Sequence, residues 1–194
     1  MRTGHNTIAK NNRPLLSQGL LVWCVLPCAV ILCPAQSGTM RLTVNANVQS
    51  SITLVFNNNP SVGNNGFCPL TNAGTNNVGL DLGTASWLVG DSLACVGFTN
   101  GFFIYTVSSA FDVLVSKANS TSPNYRLAAE ISAAPPANVF WMVNNVTLNN
   151  TGFTNLDAAD NYATPVTKTL QVQVSFFVPA QTLHETITFL ATAN

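Results

Sequence analysis

Residues 41–48 read RLTVNANV, with Leu42, Val44, Ala46 and Val48 alternating against Arg41, Thr43, Asn45 and Asn47. A period of two puts the four apolar side chains on one face of a strand and the polar ones on the other. Ser51 to Phe56 (SITLVF) is a second strand, and Asn57 to Asn77 is dense enough in Asn, Gly and Pro to read as loop. Short strands are then predicted at Val78 to Leu82, Ser92 to Gly97, Phe102 to Ser108 and Phe111 to Ser116. Others follow at Tyr125 to Ile131, Val139 to Leu148, Leu170 to Val178 and Glu185 to Thr192. Turn clusters separate them at Thr99-Asn100-Gly101, Asn119 to Pro123, Ala133 to Pro136 and Asn149 to Gly152.

Many short strands at this spacing point to an all-β sandwich or barrel, and the sandwich is the reading taken. No segment keeps an apolar period of 3.6 residues, and Asn155 to Tyr162 (NLDAADNY) offers one short helical turn at most. Phe111, Val113, Val115, Trp141 and Val143 fall on core-facing positions. Phe176 and Phe177 are adjacent in a predicted strand and so must face opposite sides. One of them then lies on a second buried surface or is exposed, and exposure would mark a contact surface.

The N-terminus reads differently. Arg2, Lys10 and Arg13 precede an apolar run from Leu15 to Cys33, and Pro34-Ala35-Gln36-Ser37 supplies a small-residue exit. These are the parts of a cleavable secretory signal, which assigns residues 1–37 to a signal peptide and residues 38–194 to a single β-sandwich domain. A membrane anchor is the alternative for a run of this length, but Pro27 and Pro34 interrupt a spanning helix and no basic stop-transfer cluster follows. After removal of the signal, no membrane association is expected, and the location is secreted, periplasmic or cell-surface.

The remaining chain of about 155 residues can bury one real core. It carries Arg41, Lys117, Arg126 and Lys168 against Asp81, Asp91, Asp112, Glu130, Asp157, Asp160 and Glu185, a net charge of −3. Without a basic patch there is no electrostatic footprint for nucleic acid. Charged residues make up only 7% of the full chain, so solubility rests on Asn, Thr and Ser. Cys68 and Cys95 are the cysteines beyond residue 37. In an oxidising compartment this pair reads as one disulfide, worth roughly 3 kcal/mol, with two separate buried thiols as the alternative.

Catalytic candidates are few. His184 is the one histidine after the signal, it lies in Leu183-His184-Glu185, and no serine stands in a G-x-S-x-G elbow. Asp157 and Asp160 could offer oxygen ligands to calcium, but the run lacks the glycine and terminal glutamate of an EF-hand loop and reads better as a solvated turn. Phosphate-binding glycine loops and zinc spacings are absent, so neither cofactor nor metal is expected. Asn119-Ser120-Thr121, Asn145-Val146-Thr147 and Asn149-Asn150-Thr151 match the glycosylation pattern, which matters only in a glycosylating host.

One ordered set of features resembles a known family. Cys68 is followed by Leu80-Asp81-Leu82-Gly83-Thr84, then Cys95, then Tyr105-Thr106-Val107, then Val178-Pro179-Ala180-Gln181 and the terminal Glu185-Thr186-Ile187-Thr188-Phe189. This layout resembles the spore coat protein U family and its relatives among chaperone-usher fimbrial subunits. Leu82 stands where the family usually has Phe, and Ala180 where Gly is common. The C-terminus also lacks the aromatic residue that many fimbrial subunits present to their chaperone.

The resemblance implies an immunoglobulin-like sandwich that lacks a strand of its own and receives one from a neighbouring subunit by β-augmentation. The donor candidate is the strand bearing Leu42, Val44, Ala46 and Val48, and the alternative is that it closes its own sheet. The expected function is that of a secreted structural or adhesive surface protein, a pilus- or coat-type subunit rather than an enzyme. Its partners would be copies of itself or other surface subunits. A stand-alone carbohydrate- or protein-binding module, stacking sugars on Trp87, Trp141 or Tyr162, is the alternative, and a hydrolase using His184 is the remaining one.

Overall fold

The computed structural model of the chain describes residues 38–48, 52–62, 67–85 and 97–194. Alternation of buried and exposed side chains organises nearly all of it into strands: β1 (Gly38–Val48), β2 (Ile52–Asn58), β3 (Leu70–Thr71), β4 (Asn77–Ala85), β5 (Gly97–Asn100), β6 (Ile104–Lys117), β7 (Asn124–Ile131), β8 (Val139–Val143), β9 (Val146–Thr147), β10 (Thr154–Asn161), β11 (Val166–Ser175) and β12 (Leu183–Ala193). A 3₁₀ turn at Pro60–Val62 is the one helical element among the described residues. The fold is all-β, with two six-stranded sheets that share one core.

The first sheet has the order β10-β7-β12-β1-β4-β3, and the second runs β2-β6-β11-β8-β9 with β5 also paired to β6. Apart from the short hairpins β3–β4, β5–β6 and β8–β9, each connection carries the chain from one sheet to the other. The long strands therefore find partners remote in sequence. β1 runs parallel to β12, from Met40 opposite Leu183 to Val48 opposite Ala191, and antiparallel to β4 on its other side.

Between the sheets, Phe56 on β2 and Phe111 on β6 meet Phe189 on β12 edge-on, with ring centroids 5.3 and 6.0 Å from it. All three rings are buried, as are Val113, Val115, Trp141 and Val143. These four, with Phe111, occupy the core positions that the alternation assigns to them.

The Leu80-Asp81-Leu82-Gly83-Thr84 segment is a β-bulge. The register against β1 shifts between Met40 and Arg41, so that Met40 faces Gly83 while Arg41 faces Asp81. Gly83 has φ 74°, a left-handed conformation that a Cβ disfavours. Its amide donates to Asp81 Oδ1 at 2.9 Å, which satisfies a group that the bulge takes out of the ladder.

Four sequence expectations need correction. Phe102 to Ser108 and Phe111 to Ser116 lie mostly in one strand, β6; Ser109 in its middle is polar but core-facing, where it accepts a hydrogen bond from the Cys68 amide at 2.8 Å. Val139 to Leu148 is instead the hairpin β8–β9, turning at Asn144 and Asn145, both at positive φ as a two-residue type I′ turn requires. Asn155 to Tyr162 forms the edge strand β10 rather than a helical turn, because two register shifts against β7 break the period of two by which a strand is recognised. Finally, β11 ends at Ser175, so Phe176 and Phe177 lie in a turn and are free to point the same way.

Two substitutions test this account. Gly83→Ala should cost about 1–2 kcal/mol by forcing a left-handed Cβ, and Phe189→Ala about 3–5 kcal/mol by emptying the aromatic centre, both measured as shifts in the urea-unfolding midpoint.

Candidate functional site

The donor-candidate strand is seated in its own sheet in this chain. Leu42 and Val44 are fully buried, Ala46 packs against the core, and Val48 ends the ladder opposite Ala191. Both edges of β1 are hydrogen-bonded, one to β12 and one to β4. Taking β1 away would divide the first sheet into β10-β7-β12 and β4-β3, with a strand-wide slot between two unpaired edges.

A second feature is an exposed aromatic cluster beside the second sheet. The tip of the β5–β6 hairpin consists of Phe102 and Phe103, held by a hydrogen bond from the Gly101 amide to the Ile104 carbonyl at 2.8 Å. Hairpin tips favour Gly, Asn or Asp, and Phe103 adopts φ 63°, a conformation costly for a bulky side chain. The turn after β11 meets this tip, with the Phe176 amide donating to the Phe103 carbonyl at 3.1 Å. The Phe103 ring stacks on Phe176 and Phe177 at 4.9 and 5.8 Å between centroids. Phe102 remains 86% exposed and Phe177 68% exposed. Such a cluster costs solvation and spends backbone strain on an exposed apolar surface. Sequence reading singled out Phe176 and Phe177; it missed Phe102 and Phe103, although two phenylalanines directly after a Thr-Asn-Gly turn were the available signal.

The third feature is a charge cluster between the sheets. Lys168 occupies a core-facing position of β11, in phase with Leu170, Val172 and Val174, and its side chain is 1% exposed. Its ammonium contacts Asp157 Oδ2 directly and stands 3.9 Å from Asp160 Oδ2. Both carboxylates come from β10, on the edge of the opposite sheet. Sequence reading placed Asp157 and Asp160 in a solvated turn and did not single out Lys168; what decides their role is the sheet-to-sheet packing.

Burial, with the negative charge of Asp157 added, holds the Asp160 carboxyl above the usual carboxylate range, against the pull of Lys168. Tyr125 on β7 is fully buried, its ring 5.3 Å from that of Tyr162. Its phenol is driven well above the ordinary tyrosine value by burial and then by the charges of Asp160 and Asp157. Tyr125 Oη and Tyr162 Oη are buried without a hydrogen-bond partner among the described residues, while the Asp160 carboxyl, when it carries a proton, is placed to hydrogen-bond Asp157.

The other candidates are dispersed. Cys68 is buried, while Cys95 and Trp87 lie outside the described residues, as does the whole of 1–37. Trp141 is buried in the core, and Tyr162 is half-buried with Lys117 Nζ 4.8 Å above its ring. His184 is exposed on β12, level with Arg41, which in turn pairs with Asp81 on β4 at 3.8 Å. Arg41, Asp81 and His184 line an open groove with Thr43 and Thr71, and no serine or cysteine among the described residues joins them. No group of three or more His, Cys, Asp or Glu side chains placed to hold a metal occurs among the described residues. Asn119, Asn145 and Asn149 are all exposed.

The orphaned Tyr125 hydroxyl yields a prediction. Because the native state holds the phenolic proton more tightly than the unfolded chain, stability should fall as pH rises beyond the ordinary tyrosine value of about 10. Tyr125→Phe should remove that part of the alkaline decline and, at neutral pH, raise stability by about 1–2 kcal/mol by deleting an unsatisfied buried group. Urea midpoints of both chains across neutral and alkaline pH give the comparison.

A scan against models of known protein families finds no match for this chain, and a search of curated proteins finds no relative.

Proposed function

We propose that this chain is an exported, non-catalytic surface-assembly protein in which β1 is the piece exchanged between neighbouring copies. The observation that carries the reading is the position of β1. It is the first strand among the described residues, it lies in the middle of a sheet, and both of its partners are remote in sequence. A terminal strand in such a place can leave and be replaced by the same strand of another copy without loss of a single native contact, which is the physical basis of strand exchange. The alternation of Leu42, Val44, Ala46 and Val48 supplies the side chains that such a slot receives.

Several further features belong to the same reading. The basic and apolar N-terminus acts as a cleavable signal that delivers the domain to the periplasm or cell surface. Cys68 pairs with Cys95 in that oxidising setting. The likeness to spore coat protein U and fimbrial subunits agrees with an assembling sandwich of immunoglobulin-like architecture. The exposed phenylalanine cluster serves as a second, side-on contact between copies, since self-association would cover Phe102 and Phe177. A sugar-binding module draws less support, because Trp141 is buried and Tyr162 sits beneath Lys117.

Exchange is tested by refolding. A chain beginning after β1 should fail to form a stable monomer and should be rescued by a synthetic peptide of Gly38–Val48, while the intact domain refolded at rising concentration should form polymers seen by light scattering. A domain that refolds to a monodisperse monomer at every concentration overturns the reading. Phe102→Ser with Phe177→Ser should reduce side-on association while changing monomer stability by no more than about 0.5 kcal/mol, as expected of exposed positions.

A further inference from the structure

The charge cluster between the sheets sets one buried lysine against two carboxylates of a facing strand. We propose that Lys168 and Asp157 become joined by an intramolecular amide bond, formed by the folded domain itself, with Asp160 as the proton carrier. The bond is a property of the folded sandwich and does not depend on the assembly reading.

Three observations carry the inference. The two groups that would react are already paired, with Lys168 Nζ against Asp157 Oδ2, each held on a separate strand of a separate sheet. Such fixed juxtaposition replaces a bimolecular encounter and is worth effective concentrations on the order of 10⁵ M or more when the alignment is good. Next, the surroundings offer the ammonium little water. Lys168 is 1% exposed, the Asp157 and Asp160 side chains keep 22% exposure each, and the buried Tyr125 ring, tilted against that of Tyr162, lies within electrostatic reach of both carboxylates. Withdrawing an ammonium and a carboxylate from water removes the solvation that normally makes the separated ions more stable than the amide. Lastly, a second carboxyl group stands beside the pair. Asp160 Oδ2 is 3.9 Å from Lys168 Nζ, and the Asp160 carboxyl, when it carries a proton, is placed to hydrogen-bond Asp157. Its affinity for a proton is raised by burial and by Asp157.

The step balances without any outside reagent. Proton transfer from the Lys168 ammonium to Asp157 leaves a neutral amine and a neutral acid. The nitrogen lone pair attacks Asp157 Cγ, forming the C–N bond, while protonated Asp160 donates a hydrogen bond to the carboxyl oxygen and makes the carbon more electrophilic. As the tetrahedral centre collapses, Asp160 passes a proton from nitrogen to the departing oxygen, and the C–O bond breaks. One ammonium and one carboxylate thereby yield one amide and one water, with Asp160 unchanged.

The product would tie β10, the edge strand of the first sheet, to β11 inside the second. Weak edge pairing, interrupted by two register shifts, would then be backed by a covalent link across the sandwich.

Intact-mass spectrometry of the folded and then denatured, thiol-reduced protein decides the matter. The expected mass is that of the sequence less one water, and proteolysis should release a branched peptide joining Lys168 to Asp157. Lys168→Arg and Asp160→Asn should each restore the full mass in a chain whose circular dichroism remains that of a β-sandwich. A folded, unaltered chain of full mass that gives only linear peptides overturns the proposal, as does a branch at Asp160 in place of Asp157. The decisive reading is on the unaltered chain, so a variant that fails to fold does not weaken the test.

Discussion

The insertion of β1 between β12 and β4 is the constraint on which the rest of this sandwich depends. It joins what would otherwise be two half-sheets, and it does so with the beginning and the end of the domain. Phe189, whose ring meets Phe56 and Phe111 across the core, is held on β12 at the position level with Ala46 of β1. The same strand thus completes a hydrogen-bonded sheet and helps to position the aromatic centre. Because sheets alternate at nearly every connection, few long strands can pair until distant parts of the chain have been brought together. Loop-closure entropy must be met before the ladder forms, which makes folding of this topology slow and favours completion only when the whole chain is present.

Polar residues at core-facing positions are the other organising feature. Glu185 on β12 is buried and accepts hydrogen bonds from the Ser132 amide, the Ser132 hydroxyl and the Thr186 amide, so it closes the turn after β7. Asn59 is buried and donates to Asp112 at 2.7 Å and Thr167 at 2.8 Å. Ser109 receives the Cys68 amide. In each case a buried polar group is matched, as its desolvation demands. The Lys168 cluster is different, for it brings charge into the interior beside two phenol hydroxyls that have no partner among the described residues.

The contact features sit apart from that cluster. The β1 slot is an opportunity for main-chain pairing, whereas the phenylalanine tip presents side chains alone. Main-chain pairing supplies most of the strength in strand exchange, and apolar side chains at alternate positions set its register. An exposed aromatic patch adds lateral attachment without specifying register. In the assembly proposed above, the two surfaces would therefore have complementary physical roles.

Strand location and facing were legible from residues 41–48 onward, because the period-two pattern is local and each buried face leaves its mark on neighbouring residues. Phe111, Val113, Val115, Trp141 and Val143 could be placed in the core on that basis alone. Reading failed where polarity and facing disagreed: at Ser109, which split β6 in two, and along β10, whose bulges erased the alternation. Which strands pair could not be read at all. Ladder hydrogen bonds join identical main-chain groups, so nothing in RLTVNANV says that β12 will be its parallel neighbour. The same holds for Lys168, an ordinary lysine in sequence, and for the four phenylalanines split between residues 102–103 and 176–177. Local alternation determined the strands and their faces; only the crossing of the chain between sheets decided which charges and rings would meet.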